Sequence, residues 1–261
     1  MRIARSLLKL TRLDSSVLVA LSVFIPLLAR TKDMSWSLSK AIPLLFIGMC
    51  TFIANDLDDI EKDRINHPER PLPSGHVKPS LAVTIYFLCL ALALFTTHNF
   101  IQSGTASWYY FLLAFSISYG YVVDYLPGFK SLYVACAISV PLLIVSIYYP
   151  GEESLYLVVA ALFFFVLGRE ICMDVVDRAG DTASFMHKIG AGSLSATAFL
   201  LQVVGLLLLI IQVDEVTDVL GVLLMAALLA RSCYCWFRLG RHRRAIFFMK
   251  LQLFAGLHFL V

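Results

Sequence analysis

Charged residues are scarce in this sequence: Asp, Glu, Lys and Arg together make up 15% of its 261 positions, whereas 59% are hydrophobic. A soluble domain of this length needs more polar surface, so the composition argues against a soluble protein and favours a membrane protein. The net charge of +3 is too small to indicate a nucleic-acid partner. The six cysteines form no CxxC pair, so we expect them to be packing residues rather than metal ligands.

The apolar residues of this sequence are grouped into long blocks separated by short polar segments. Each block is close to the roughly 20 residues that a helix needs to cross the hydrocarbon core of a bilayer. The pattern predicts an all-α, polytopic membrane protein with about nine transmembrane helices, forming one domain over residues 1–261. The predicted helices cover residues 14–30, 38–56, 80–97, 106–124, 130–149, 154–174, 191–213, 217–236 and 244–260.

The basic residues are distributed unevenly between the two sides of these predicted helices. If the N-terminus is cytoplasmic, all but four of the 21 Lys and Arg lie on the cytoplasmic side, and the loops opposite carry acids. This asymmetry follows the positive-inside rule. It therefore predicts a cytoplasmic N-terminus and cytoplasmic loops after the second and sixth helices. The four exceptions are Arg30, Lys32, Lys40 and Lys250.

The second predicted helix runs into an acidic cluster, NDLDDIEKD. Asn55, Asp59 and Asp63 are spaced i, i+4 and i+8, so on a continuing helix they form one stripe, with Asp56 beside it. Carboxylates crowded at the end of a membrane helix repel one another, and acids at this depth are candidates for function. The alternative is that such a run is only a solvated helix end with no functional role.

The sixth predicted helix ends in a second acidic run. Two such runs argue against the alternative that the acids are only solvated helix ends. Glu170, Asp174, Asp177 and Asp181 are spaced 4, 3 and 4 residues apart and trace one helix face. Magnesium takes oxygen ligands, commonly one or two carboxylates together with phosphate oxygens and water. Two such stripes facing each other would hold a diphosphate through metal ions, while the apolar helices house a hydrocarbon tail.

The first cluster and the residues after it resemble the first signature of the UbiA-type intramembrane prenyltransferases. The pattern NDxxDxxxD is matched from Asn55 to Asp63, and RxNxPxRPxPSG is matched from Arg64 to Gly75. The second signature, DxxxD, is matched by Asp177 and Asp181. The resemblance covers essentially the whole chain, and the first motif is far more specific than the second.

The resemblance implies a helical bundle around a lipid-open cavity, capped by the acidic loops, and Mg²⁺-dependent ionisation of an isoprenyl diphosphate. Asp59, Asp63, Asp177 and Asp181 then act in catalysis through the metal, with Arg64 and Arg70 on the diphosphate oxygens. The metal ligands taken over from the motif positions, with supporting carboxylates, are Asn55, Asp56, Asp59, Asp63, Asp174, Asp177 and Asp181.

Two regions depart from the pattern of the family. Many members have a basic run after the second motif, whereas residues 182–190 read TASFMHKIG, where Lys188 is the remaining candidate for diphosphate binding. Around the fourth helix, Asp124 stands where a lysine is expected, and Lys130, which lies beyond it, is another candidate for diphosphate binding. Tyr119 precedes Asp124 and is expected to shield an allylic cation through its ring face. We expect Asp124 to steer or deprotonate an acceptor.

These departures leave the second half of the reaction open. The favoured interpretation is transfer of the prenyl group to an aromatic or lipophilic acceptor. The first alternative is a terpene cyclase of the same family, which ionises the same diphosphate and needs no acceptor. Two weaker alternatives are phosphoribosyl transfer to a lipid phosphate and a divalent-cation transporter. The sequence determines neither the length of the isoprenoid nor the oligomeric state.

Overall fold

The structure, a computed structural model, describes residues 2–125, 129–178 and 189–260, and these contain helices but no strand. The all-α prediction is therefore confirmed. A π-helical segment, Tyr234–Arg238, follows α11, and a 3-10 turn, Gly256–Leu260, follows α12. The α-helices are α1 (Arg2–Leu10), α2 (Leu13–Thr31), α3 (Met34–Asp58), α4 (Ile60–Asn66), α5 (Pro79–Phe100), α6 (Ser103–Ile117), α7 (Tyr119–Tyr125), α8 (Lys130–Tyr148), α9 (Glu153–Val176), α10 (Ala191–Ile210), α11 (Val216–Cys233) and α12 (His242–Ala255).

Seven helices in the described part of the chain are long and apolar enough to cross a membrane. They are α2, α3, α5, α8, α9, α10 and α11 with its π-helical extension to Arg238. The other two predicted spans correspond to shorter pieces: residues 106–124 fall on α6 and α7, and residues 244–260 fall on α12 and the 3-10 turn. The predicted multi-pass architecture agrees with this pattern, whereas the count of nine spans stays a prediction.

The break between α6 and α7 has a local cause. The hydroxyl of Ser118 donates a hydrogen bond to the carbonyl oxygen of Phe115 at 2.8 Å, an alternative to regular helix bonding. Gly120, two residues later, is among the poorest helix formers. The fourth predicted helix therefore ends at Ile117 and a new seven-residue helix starts at Tyr119.

The helices divide into two compact units, and α1–α7 form the first. Helix α3 is its central element and packs against α2, α5 and α6. Asp33 starts this helix, because its carboxylate accepts a hydrogen bond from the backbone N–H of Trp36 at 3.0 Å. Further along, the hydroxyl of Tyr109 on α6 donates to the carbonyl oxygen of Lys40 at 3.0 Å. The central helix of this unit ends at the first acidic cluster.

Helices α8–α12 form the second unit, in which α9 is central and packs against α8, α10 and α12. Helices α9 and α10 approach closely at Gly168, where a Cβ atom would lie 2.5 Å from the carbonyl oxygen of Ala198. Nearby, the amide of Gln202 donates to the carbonyl oxygen of Phe165 at 2.9 Å. Small residues and interhelical hydrogen bonds of this kind hold membrane helices together. This unit, too, carries an acidic cluster at the end of its central helix.

We expect Gly168→Ala to lower the stability of the second unit by about 1–3 kcal/mol, because the added methyl group overlaps backbone that cannot move aside easily. The midpoint temperature of thermal unfolding in detergent measures this loss. Gly192→Ala is the matched control, since a Cβ at Gly192 on α10 meets no atom within 4 Å. Equal midpoints for the two variants would contradict the close packing of α9 against α10.

Candidate active site

The first acidic cluster lies on an almost continuous helical path from α3 into α4. Only Asp59 separates the two helices, and i→i−4 backbone bonds continue on both sides of it. The N–H of Asp59 donates to the carbonyl oxygen of Asn55 at 3.0 Å, and that of Asp63 donates to Asp59 at 2.8 Å. The predicted stripe of Asn55, Asp59 and Asp63 is therefore present. Asp56, Asp59 and Asp63 are all buried, at 3%, 8% and 4% exposure.

The carboxylate of Asp56 pairs with Arg12, a residue to which the sequence interpretation gave no role in the site. One guanidinium nitrogen of Arg12 lies 2.6 Å from Asp56 Oδ1. Arg12 directly precedes α2 in the two-residue link from α1 and has a left-handed backbone conformation, with φ of 41°. The cation also lies over the ring of Phe52, 5.2 Å from its centroid. The N-terminal segment is thus joined to the acidic cluster by a charge-assisted hydrogen bond.

The other two buried carboxylates each have a cation of their own. Lys62 Nζ lies 3.1 Å from Asp59 Oδ1. Arg70 Nη1 lies 2.6 and 2.7 Å from the two oxygens of Asp63. Burial raises the pKa of Asp63, and the charge and hydrogen bond of Arg70 oppose that rise. The first cluster is therefore a row of buried acids and paired cations.

Arg64 lies apart from these buried acids, although the resemblance places it with Arg70 on the diphosphate. Its guanidinium group contacts both carboxylate oxygens of Glu61 at 2.7 Å. Both side chains are largely exposed, at 59% and 79%. Of the two arginines, Arg70 contacts buried carboxylates, those of Asp63 and Asp56, whereas Arg64 forms an exposed ion pair within α4.

In the second unit, the acidic cluster at the end of α9 meets the start of α8. The hydroxyl of Ser131 donates a hydrogen bond to Asp174, and Lys130 Nζ lies 4.0 Å from the same carboxylate. Asp177 follows the last residue of α9 and is buried. The structure thus brings the predicted diphosphate-binding residue Lys130 next to the predicted metal ligand Asp174. Asp181 and Lys188 lie outside the described residues.

The short helix α7 carries the predicted cation-shielding residue and touches the first cluster. Tyr119 is buried at the start of this helix. The next residue, Gly120, lies against the carboxylate of Asp58, so closely that a Cβ atom at Gly120 would overlap Asp58 Oδ2. The side chain of Asp124 is outside the described part of the structure. A side chain at residue 120 would therefore displace the exposed Asp58 carboxylate from its present position beside α7.

The donor groups of the first cluster suit magnesium. Among the described residues, no three His, Cys, Asp or Glu side chains converge closely enough to hold a metal ion by themselves. Magnesium does not need such a cage, because phosphate oxygens and water complete its coordination around one or two carboxylates. Asp56, Asp59 and Asp63 carry hard carboxylate oxygens, are buried at the end of a membrane helix, and so would fit such a shared coordination.

Comparison with known proteins gives relatives of one kind. Digeranylgeranylglyceryl phosphate synthase from Hyperthermus butylicus is 27% identical over 206 residues, which cover 72% of this chain and 65% of that protein. The matched segments cover less than two thirds of the length of each curated relative.

Solved structures share the fold at lower sequence identity. A UbiA homologue from Aeropyrum pernix, solved in its apo form, has a TM-score of 0.77 at 17% identity, covering 95% of this chain and 96% of that chain. A UbiA homologue from Archaeoglobus fulgidus, bound to DMAPP and Mg²⁺, has a TM-score of 0.66 at 14% identity, covering 98% and 99% of the two chains.

Family membership follows from the sequence match over nearly the whole chain. The sequence pattern of the UbiA prenyltransferase family matches residues 17–254, a range that includes both acidic clusters and the helices that carry them. The expected resemblance is therefore confirmed, and this chain belongs to the UbiA prenyltransferase family.

Proposed function

We propose that the protein is a magnesium-dependent intramembrane prenyltransferase that ionises an isoprenyl diphosphate and transfers the prenyl group to a lipophilic acceptor. The observation that carries the proposal is the row of buried carboxylates where α3 passes into α4, each held by its own cation. Family membership supports prenyl transfer. The DMAPP and Mg²⁺ bound by the Archaeoglobus fulgidus homologue support the class of substrate and the metal.

In this proposal the first cluster binds the diphosphate end of the substrate. Asn55, Asp56, Asp59 and Asp63 provide the oxygen ligands, and bound Mg²⁺ neutralises charge that develops on the leaving diphosphate. Arg70 lies beside these ligands and can donate to diphosphate oxygens, for which a guanidinium group is well suited. The bond between the allylic carbon and the diphosphate oxygen breaks, and its electron pair stays with diphosphate.

The second cluster is proposed to contribute ligands and a cation of its own. Asp174 and Asp177, with Asp181 by resemblance, add carboxylates for the metal. Lys130 is held near Asp174 and is proposed to contact diphosphate oxygens, as is Lys188. The hydroxyl of Ser131 orients Asp174, because it donates a hydrogen bond to that carboxylate.

The cation that remains after diphosphate leaves must be protected until the acceptor attacks. Tyr119 is buried beside the end of α3, and its ring face can stabilise a nearby cation. The acceptor atom then forms a bond to the allylic carbon and loses its proton, for which Asp124 is the proposed base. Protein surroundings that exclude water prevent hydrolysis of the cation to a simple alcohol.

A lipid acceptor is favoured over an aromatic one. The curated relatives are named digeranylgeranylglyceryl phosphate synthases, and that name describes a glyceryl phosphate product. We extend this chemistry to the present protein and propose a glyceryl phosphate lipid as the acceptor class. The proposal also keeps the predicted orientation, with the N-terminus and both acidic clusters at the cytoplasmic face of the membrane.

The decisive experiment supplies the purified protein with Mg²⁺ and C10 to C20 allylic diphosphates, with and without a glyceryl phosphate lipid. We expect diphosphate release to match prenylated lipid in amount, to require the lipid, and to stop with EDTA. A cyclic hydrocarbon formed without acceptor would identify a terpene cyclase instead. The absence of diphosphate release from every donor would reject both enzymes, and metal uptake into sealed vesicles would then indicate a transporter.

A further inference from the structure

An exposed basic turn joins α11 to α12 in the second unit. The turn, residues 238–244, reads RLGRHRR, and all four of its arginines are exposed. It lies at the same end of the unit as the second acidic cluster, because Trp236 and Ala245 share one core with Ile171 and Cys172 of α9. The turn is therefore placed at one end of the membrane-spanning helices.

The backbone of the basic turn is well defined by hydrogen bonds. The N–H of Leu239 donates to the carbonyl oxygen of Tyr234 at 3.3 Å, and that of Arg241 donates to Cys235 at 2.9 Å. Gly240 has a φ of 60°, a conformation that glycine adopts without strain, and the chain reverses there. The charges are thus presented on a folded turn rather than on a loose loop.

A buried aromatic anchor fixes this turn to the core. Trp236 is 5% exposed, and the ring of His242 lies 4.4 Å from it, centroid to centroid. On another side, Phe199 of α10 makes an edge contact with Trp236 at 6.1 Å. The backbone that carries the arginines is therefore fixed to the core of the unit.

Three arginines of the turn, Arg238, Arg241 and Arg244, have no ion pair with a carboxylate among the described residues. No Asp or Glu follows Asp218 in the sequence. Four arginines confined to seven positions repel one another, so an anionic partner would relieve a real electrostatic cost.

Apolar side chains stand exposed next to these charges. Phe237, Leu239 and Phe247 are 53%, 38% and 57% exposed. At the end of a membrane helix, such side chains enter the acyl region while neighbouring arginines remain at headgroup level. A soluble acidic protein would meet the charges but would leave these apolar groups in water, so the combination suits a lipid.

We infer that the basic turn at residues 238–244 binds the phosphate headgroup of an anionic membrane phospholipid. Arginine contacts phosphate with paired N–H donors, and clustered basic residues beside a membrane helix are a recognised way to bind acidic lipids. The arginines of this turn are not among the residues assigned to the proposed diphosphate site, and the inference does not depend on the proposed reaction.

The test measures retention of phosphatidylglycerol by native mass spectrometry after detergent exchange. We expect the unchanged protein to retain this lipid in preference to phosphatidylcholine, and Arg241→Gln/Arg244→Gln to bind it about 30-fold more weakly. Arg5→Gln/Lys9→Gln, on exposed positions of α1, is the matched control, since it removes the same charge elsewhere.

Three results would overturn the inference: no preference in the unchanged protein, unaltered retention in the turn variant, or the same loss in both double variants. A second measurement uses only the unchanged protein, so its result does not depend on whether a variant folds well. The thermal midpoint of the unchanged protein should rise when phosphatidylglycerol replaces phosphatidylcholine in nanodiscs, and inorganic phosphate alone should not raise it. An unchanged midpoint would equally reject the site.

Discussion

Replacement of Asp59 by Asn is expected to slow diphosphate release about 1,000-fold at saturating Mg²⁺. The side chain is buried, belongs to the stripe that continues from α3 into α4, and pairs with Lys62. Metal ions contribute several kcal/mol of charge stabilisation at a leaving group. Each 1.36 kcal/mol is a factor of ten in rate, so loss of about 4 kcal/mol gives the expected effect. Single-turnover release of diphosphate measures it.

Glu61→Gln is the matched control for Asp59→Asn. Glu61 lies two residues away, is largely exposed, and pairs with Arg64 outside the buried row. Its loss should leave the rate within about twofold, because exposed ion pairs contribute little. Mg²⁺ should raise the thermal midpoint of the wild type and of Glu61→Gln more than that of Asp59→Asn. Near-normal turnover by Asp59→Asn would remove Asp59 from the proposed metal site.

The second cluster has its own version of this experiment. Asp177→Asn should also abolish most turnover while the protein remains folded, because Asp177 is proposed to bind the metal. If Asp59→Asn is inactive and Asp177→Asn is not, the first cluster alone binds the metal. If both are inactive, the metal site needs both acidic clusters, as the resemblance implies.

Removal of Arg70 is expected to destabilise the protein in the absence of metal. Arg70 contacts both oxygens of Asp63 and lies 3.9 Å from Asp56, and both acids are buried. Breaking a buried pair leaves an uncompensated charge, and we expect Arg70→Gln to cost about 2 kcal/mol, since Arg70 itself is partly exposed. The thermal midpoint in EDTA should fall by about 4–8 °C.

Adding Mg²⁺ tests whether the destabilisation of Arg70→Gln comes from the uncompensated carboxylates. A bound cation would compensate Asp63 and Asp56, so Mg²⁺ should close part of the gap between Arg70→Gln and the wild type. Arg64→Gln is the control, because its exposed pair with Glu61 should be worth less than about 1 kcal/mol. A midpoint for Arg70→Gln equal to that of the wild type in EDTA would contradict the importance of this pair.

Much of the architecture could be predicted from the sequence because the length of the apolar segments is a strong signal. The predicted spans at 38–56 and 154–174 correspond to α3 and α9, and the helical spacing of Asn55, Asp59 and Asp63 is present. The fourth predicted span is divided, because Ser118 and Gly120 interrupt it although the segment stays apolar. Hydropathy alone does not register such a break.

The cations that pair with the first acidic cluster have little signal in the sequence. Arg12 is 44 residues away from Asp56, and its charge has a sufficient explanation in the positive-inside rule. Lys62 lies inside the acidic motif, but spacing gives no reason to pair it with Asp59 rather than with another acid. Ion-pair partners depend on how helices pack, and a single sequence carries no direct signal for that.

The close approach of Gly120 to Asp58 has an evolutionary consequence. The Asp58 carboxylate fills the place that a side chain on residue 120 would take, but Asp58 is exposed and its carboxylate is the end of a flexible side chain that can turn away. Related proteins that keep the contact between α3 and α7 are therefore expected to accept Ala or Ser aligned with Gly120, with the side chain aligned with Asp58 turned toward solvent. The variable position of the acidic motif, rather than the backbone of α3, would then accommodate changes in the helix bearing Tyr119.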